Sequence, residues 1–245
     1  MKKFILIITI ILFIFSLLFY FYCNLKNIYK KKVLNLSFWR NKYSDHHKEY
    51  LEFLTEIIPY LEKWKIKYWA HAGTLLGCVR HNGFIPWDDD IDFGYIDDGN
   101  IEDLKNDLIN NGYQINLYIL GIKVDFNIGF NIISKNNIGI LIDMFKFNKK
   151  NDMLVQLDKP NKIWPNENYY YNEVFPLKIA KFNNIYLPIP NNSESFCKRA
   201  FGNNYMDEFY IKTPHLYTFI NNKIDGFGIR SISKEKFYIK DLIDE

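Results

Sequence analysis

Asp88, Asp89, Asp90 and Asp92 crowd into five positions directly behind Gly83-Phe84-Ile85-Pro86-Trp87. Residues two apart on a strand project from one face, so a strand through Ile91–Tyr95 predicts that Asp90 and Asp92, joined by Asp88, converge on one point. Like charges held that closely repel unless something positive lies between them. Oxygen-only ligands select a hard divalent cation, Mg²⁺ or Mn²⁺.

A second acid belongs to the same argument. Ile138-Gly139-Ile140-Leu141-Ile142-Asp143-Met144-Phe145 sets one carboxylate inside an apolar strand. Such a group is costly unless it is paired or bound to metal. With Asp90 and Asp92 it completes a three-acid cage suited to a cation bridged to nucleotide phosphates. Upstream, Gly73-Thr74 opens a short helix through Arg80. Free backbone N–H groups at a helix start bind phosphate, and glycine permits close approach. Arg80 and His81 either reach the same phosphates or pair with the nearby carboxylates, and Trp87 is either a wall of the donor pocket or a packing residue.

Other acidic and nucleotide motifs fail on inspection. Aligned as a calcium-binding EF-hand loop, Asp88, Asp90 and Asp92 fill the first ligand positions, but Phe93 stands where glycine is needed and Gly99 where glutamate is needed. Neither a Walker pattern nor a GxGxxG fingerprint is present. The histidines show no zinc spacing, and His46-His47 reads as a solvated helix pair. Cys23, Cys78 and Cys197 form no disulfide framework, and Cys78 reads as a small buried hydrophobe. With 31 basic against 28 acidic residues, the net charge of +3 carries no basic stripe, so nucleic acid is not an expected partner.

Several elements must position these groups. Phe4 to Cys23 is almost uninterruptedly apolar and ends in Phe19-Tyr20-Phe21-Tyr22, an aromatic belt where a cleavage site would need small residues. About 20 residues of helix cross a bilayer, so residues 1–23 are expected to form an uncleaved membrane anchor. Residues 24–43 read as a basic linker, and 44–245 as the catalytic domain. Ser44 is the expected cap of a first helix, with Pro59 marking a kink or break. A strand over Ile66–Ala70 precedes the glycine turn, Asn100 caps another helix, and strand-like segments follow at 113–120, 122–133 and 138–147. Ser193 is the expected cap of a short helix ending near Gly202.

Gly73-Thr74-Leu75-Leu76-Gly77, Arg80 and Gly83-Phe84-Ile85-Pro86-Trp87-Asp88-Asp89-Asp90-Ile91-Asp92 together resemble the signature of the LicD family, which includes bacterial phosphocholine transferases and the fukutin-type proteins. Leu141–Phe145, Val174–Leu177 and Phe201–Met206 resemble later landmarks of that family, and the likeness extends over residues 45 to 220. Cys78 departs from the family's usual alanine and Lys146 from its frequent proline, and the zinc-binding cysteine set of some members is missing. The resemblance implies an α/β (α+β) nucleotidyltransferase-like mixed sheet with flanking helices, preceded by the transmembrane helix. It implies Asp90, Asp92 and Asp143 as ligands of Mg²⁺ or Mn²⁺, Gly73 and Thr74 as donor-phosphate contacts with Arg80 beside them, and Asp88 as a further acidic group of the site.

The implied reaction moves a phospho-substituent, such as phosphocholine or ribitol phosphate, from a CDP-linked donor to a hydroxyl of a glycan or glycoconjugate. Nucleotide transfer to RNA or protein suits the fold superfamily but neither the membrane anchor nor the weak charge, and two further rivals stay open at this point. An Asp-x-Asp glycosyltransferase using a nucleotide sugar would not need Asp143, and an inactive binding protein would need none of the acids. Membrane orientation is also open: the lysine count places the domain in the cytoplasm, the family on the lumenal or extracytoplasmic side.

Overall fold

The computed structural model describes residues 2–116, 118–119, 122–123, 128–156, 161–162, 164–209 and 236–244. Two long helices lead the chain, α1 over Lys2–Leu34 and α2 over Leu36–Lys63. Asn35 separates them and caps α2, its side chain accepting from Phe38 N–H at 2.8 Å. The lysine-rich stretch expected as a linker is therefore mostly helical. Ser44 lies inside α2 and is not its cap, because Trp39 and Tyr43 already face the core one turn earlier. Pro59 likewise sits within the helix and does not end it.

Strand β1 (Lys67–Ala70) runs into α3 (Ala72–His81), followed by β2 (Ile91–Ile96) and α4 (Ile101–Asn110). Asn100 occupies the cap position of α4, although its side chain makes no capping bond. Short strands β3 (Gln114–Asn116), β4 (Tyr118–Ile119) and β5 (Ile122–Lys123) lead to β6 (Gly129–Ile133) and the long β7 (Leu141–Lys150). The expected strands at 113–120 and 122–133 thus reduce to these shorter pieces, with 117, 120, 121 and 124–127 outside the described residues.

Next come β8 (Met153–Gln156), β9 (Tyr169–Tyr170), α5 (Tyr171–Val174), the hairpin β10 (Lys178–Phe182) and β11 (Ile185–Ile189), and α6 (Ser193–Phe201). Asn192, not Ser193, caps α6 by accepting from Ser195 N–H at 3.2 Å. Strands β12 (Glu208–Phe209) and β13 (Phe237–Tyr238) pair near the C-terminal side.

The central sheet has the order β1-β2-β7-β6-β3, with β8 and β9 extending from β7. Among the described residues its β2–β7 pair is parallel and the other pairs are antiparallel, which makes the sheet mixed, as expected. Strand β2 is buried almost throughout, and β7 is buried over Ile142–Phe145, where the two pair. The first turn of α3 is locked to the start of β2, since His71 N–H donates to the Asp92 carbonyl at 3.0 Å and Thr74 Oγ1 accepts from Asp92 N–H at 2.9 Å.

One charged network staples the C-terminal elements. Glu173 accepts from Arg199 Nη1 at 3.0 Å and Nη2 at 2.8 Å, from Ser195 Oγ at 2.6 Å and from Tyr170 N–H at 2.9 Å. These bonds hold its carboxyl below the usual glutamate range against the opposing effect of burial. Removing one partner of such a pair strands the other, at a cost of about 3–5 kcal/mol in a dry interior. Arg199 keeps 29% side-chain exposure, so Arg199→Ala is expected to cost about 2–3 kcal/mol in urea unfolding. Arg199→Lys should recover only part of this, because the two-pronged fork is lost.

Candidate active site

The acids arrive from two directions. Asp88, Asp89 and Asp90 lie in the loop before β2, where one carboxylate oxygen from each falls within 4.8 Å of the others. At an effective dielectric of about 20, each such pair repels by roughly 3 kcal/mol. Asp92 lies within β2 and stands directly opposite Asp143 of β7 in the parallel ladder, and Asp143 stands opposite Asn131 of β6. Asn131 Nδ2 donates to Asp143 Oδ1. Residues in register share a face, so Asp92, Asp143 and Asn131 form a row across three strands. All three are buried, Asp92 at 9% and Asp143 at 7% exposure.

Tyr50 of α2 joins the two groups. Its hydroxyl is buried, and its pKa is raised far above the phenol range, first by burial and then by the charges of Asp90, Asp143 and Asp89. A single phenol therefore feels both the loop and the strand carboxylates.

The compact carboxylate trio among the described residues is thus Asp88, Asp89 and Asp90. The expected cage combined Asp90 with Asp92 and Asp143. Strand alternation does not extend upstream of Ile91, where β2 begins, so it carries no information on the facing of Asp88, Asp89 or Asp90. Asp89, which the strand reading did not include, joins the cluster. The whole donor set is oxygen, from five carboxylates and the amide of Asn131, and this is the chemistry that suits a hard divalent cation.

Gly73 and Thr74 stand beside this cluster in different ways. A Cβ placed on Gly73 would lie 2.8 Å from Asp88 Oδ2, so the absence of a side chain lets that carboxylate approach the first turn of α3. Thr74 directs its hydroxyl to β2. Arg80 is more committed than expected: its Nε donates to His81 Nε2 at 2.9 Å and its Nη1 to the carbonyls of Tyr205 and Glu208 at 2.8 and 3.1 Å. Burial lowers its pKa to about 10 while the Asp88 charge opposes that shift. Trp87 packs on Phe209 at 4.4 Å and edge-on to Trp39 at 6.2 Å, which makes it a member of an aromatic cluster. The Cys78 thiol is buried and pushed up to about 12, an inert group as read from sequence.

His46 and His47 were expected to be solvated. Instead both are half-buried, with His46 Nε2 at 2.9 Å from the Asp89 carbonyl and His47 Nε2 at 2.7 Å from the Asp88 carbonyl. His71, the residue before α3, is fully buried between Tyr169 Oη at 2.9 Å and Gln156 Nε2 at 2.9 Å. None of Tyr50, Asn131, His46 or His47 stood out in the sequence, since each is separated from its acidic neighbour by many residues. The one available signal was the lone polar residue inside the apolar β6 segment Gly129-Phe130-Asn131-Ile132-Ile133.

Burial pushes the His71 imidazole down to about 3. An unfolded histidine titrates near 6.5, so between these values the unfolded chain binds a proton that the folded chain refuses. Stability from this group is complete above about pH 6.5 and drains as pH falls toward 3. His81, lowered to about 4 by burial and by Arg80, acts in the same direction. The melting temperature is expected to drop between pH 7.5 and 5.0, and a flat profile would contradict a buried neutral His71.

The candidate site thus consists of a helix start and two acids in register at the head of adjacent parallel strands of a mixed sheet. The nucleotidyltransferase domain of the LicD/FKTN/FKRP family matches residues 65–192, which include all five acids and Asn131. The chain belongs to this family. An uncharacterized protein of Rickettsia typhi is 37% identical over 125 residues, 51% of this chain and 36% of that protein. Mouse ribitol 5-phosphate transferase FKRP is 28% identical over 153 residues, 60% of this chain and 30% of that enzyme. The lipopolysaccharide cholinephosphotransferase LicD of Haemophilus influenzae is 64% identical over 31 residues, 13% of this chain and 12% of that enzyme. The first two alignments therefore span only about a third of those relatives' length.

Proposed function

We propose that this chain is a membrane-anchored, LicD-like transferase that moves a phospho-substituent from a CDP-linked donor to a hydroxyl of a glycan or glycoconjugate. The observation that carries the reading is the register of Asp92 with Asp143, set beside the Asp88–Asp90 loop and the start of α3. Family membership supports it, as do a ribitol 5-phosphate transferase and a cholinephosphotransferase among the relatives.

In this reading Asp90, Asp92 and Asp143 hold Mg²⁺ or Mn²⁺, and Asp88 completes the acidic group. A bound divalent cation supplies charge neutralisation for the donor diphosphate and the departing CMP. Gly73 and Thr74 open the helix whose N–H groups receive the donor phosphate, with Arg80 adding positive charge nearby. The acceptor hydroxyl oxygen forms the new bond to phosphorus, CMP leaves, and the hydroxyl proton passes to a carboxylate of the cluster. The work is mainly positioning and electrostatics.

Residues Ile8–Lys32 form a helix long and apolar enough to cross a membrane, with none of its most apolar stretch buried against the rest of the chain. Lys26, Lys30, Lys31 and Lys32 follow the aromatic belt, as charges at a bilayer surface do. The test is CMP release by the full-length chain in detergent, supplied with CDP-ribitol or CDP-choline and a glycan acceptor. Metal-dependent CMP release with either donor supports the proposal. Turnover of UDP- or GDP-sugars alone would move the chain to the glycosyltransferases.

A further inference from the structure

The acidic loop has a mechanical problem. It carries three carboxylates within 4.8 Å of one another, and its residues 88–90 belong to no strand that would tie their backbone down. Mutual repulsion favours opening the loop. Backbone carbonyls in such a segment also need donors once they are taken from water.

Both needs are met from α2. A carbonyl oxygen only accepts, so the His46 and His47 Nε2 atoms bonded to Asp89 and Asp88 each carry a proton. The two rings are themselves fixed. His47 stacks on Phe84 at 4.1 Å and 4°, Phe84 meets Phe182 at 4.8 Å, and His46 meets Tyr50 edge-on at 5.0 Å. Phe84 and Asp88 flank the Ile85-Pro86-Trp87 turn, so His47 grips that turn by stacking on one end and bonding the other. Both histidines and Tyr50 lie outside the segment that matches the family domain, residues 65–192. Helix α2 follows the apolar helix α1 across a single residue, Asn35.

We propose that His46 and His47 are positioning residues of the acidic loop: helix α2 holds the Asp88 and Asp89 backbone through their Nε2–H groups, and thereby sets the spacing at which the carboxylates receive a cation. The inference deepens the functional reading above and rests on it for the cation, but not for the grip on the loop.

Two substitutions separate the bond from the packing. His47→Phe keeps a ring on Phe84 and removes the N–H, whereas His47→Gln carries an amide N–H to nearly the same place. Mn²⁺ binding to the full-length chain is measured for each, together with melting temperature and amide hydrogen exchange across residues 85–92. His47→Phe is expected to weaken Mn²⁺ about tenfold and speed exchange at Asp88–Asp90 about tenfold, with the melting temperature lowered by no more than about 3–6 °C. His47→Gln should restore most of both. Unchanged Mn²⁺ affinity and exchange in folded His47→Phe would overturn the proposal, as would equal losses in both variants. If the parent chain binds no Mn²⁺, the functional reading fails on that count. Exchange alone then decides the clamp: faster in His47→Phe and rescued by Gln supports it, and unchanged rejects it.

Discussion

Asp92→Asn is expected to lower kcat/KM for the proposed transfer about a thousandfold or more while leaving the chain as stable as before, or more so. The substitution keeps the shape of the side chain and removes one charge. Asp92 is buried and faces Asp143 in the parallel ladder, with Asp90 two residues upstream. In the free protein, removing a charge from a crowded anionic site relieves repulsion. In the proposed reaction the same charge would help to hold the cation that offsets a diphosphate, a contribution of roughly 3–5 kcal/mol. A structural acid would behave in the opposite way, losing stability first and activity only as a consequence. Kinetics and melting curves on the same preparation distinguish the two. Parallel loss of stability and activity would mean that Asp92 is a scaffold residue.

Gly94→Ala is expected to cost about 3 kcal/mol and to lower the melting temperature by roughly 6–12 °C. Gly94 of β2 faces Trp69 of β1 in the antiparallel register. A Cβ placed there would lie 2.6 Å from Trp69 Cε2 and 2.8 Å from both Cζ2 and Nε1. The indole cannot yield, since it is fully buried and boxed in by Phe147, Tyr169 and Phe175 at 5.4–6.0 Å between ring centres. Either β1 moves away from β2 or the whole aromatic group repacks. Because Asp92 lies two residues before Gly94 on the same face, activity should fall along with stability. This coupled loss is the pattern that Asp92→Asn is expected not to show. Thermal denaturation followed by tryptophan fluorescence measures it directly.

How much of this was readable beforehand depends on the reach of each interaction. Strand β2, the turn at Asn82-Gly83 and helix α3 follow from local chemistry, and all lie within a residue or two of their expected places. Asp143 stood out because a charge inside an apolar strand is costly without a partner; it lies in register with Asp92 and accepts from Asn131 Nδ2. The start of α2 was misplaced because basic residues between 24 and 43 hid an apolar stripe: Trp39 and Tyr43 bury one face of a helix that looks soluble in composition. Asp89 was left out of the expected acidic group because a two-residue period was carried upstream of Ile91, where the strand begins. His46, His47, Tyr50 and Asn131 were out of reach for another reason. Their partners are distant in sequence, and only the packing of α2 over the acidic loop and of β6 beside β7 brings them together.

The central claim, a metal-dependent site for a cytidine diphosphate donor, is tested most directly by thermal shift of the full-length chain with Mn²⁺ or Mg²⁺ and each of CDP, UDP, GDP and ADP. A ligand that binds only the folded state must raise the melting temperature, by about 2.7 kcal/mol of stabilisation at a hundredfold excess over its Kd. The account predicts a rise with CDP that needs the cation and vanishes in the Asp90→Ala/Asp92→Ala variant. A rise with UDP or GDP and none with CDP, or a CDP response that survives loss of both acids, would contradict it.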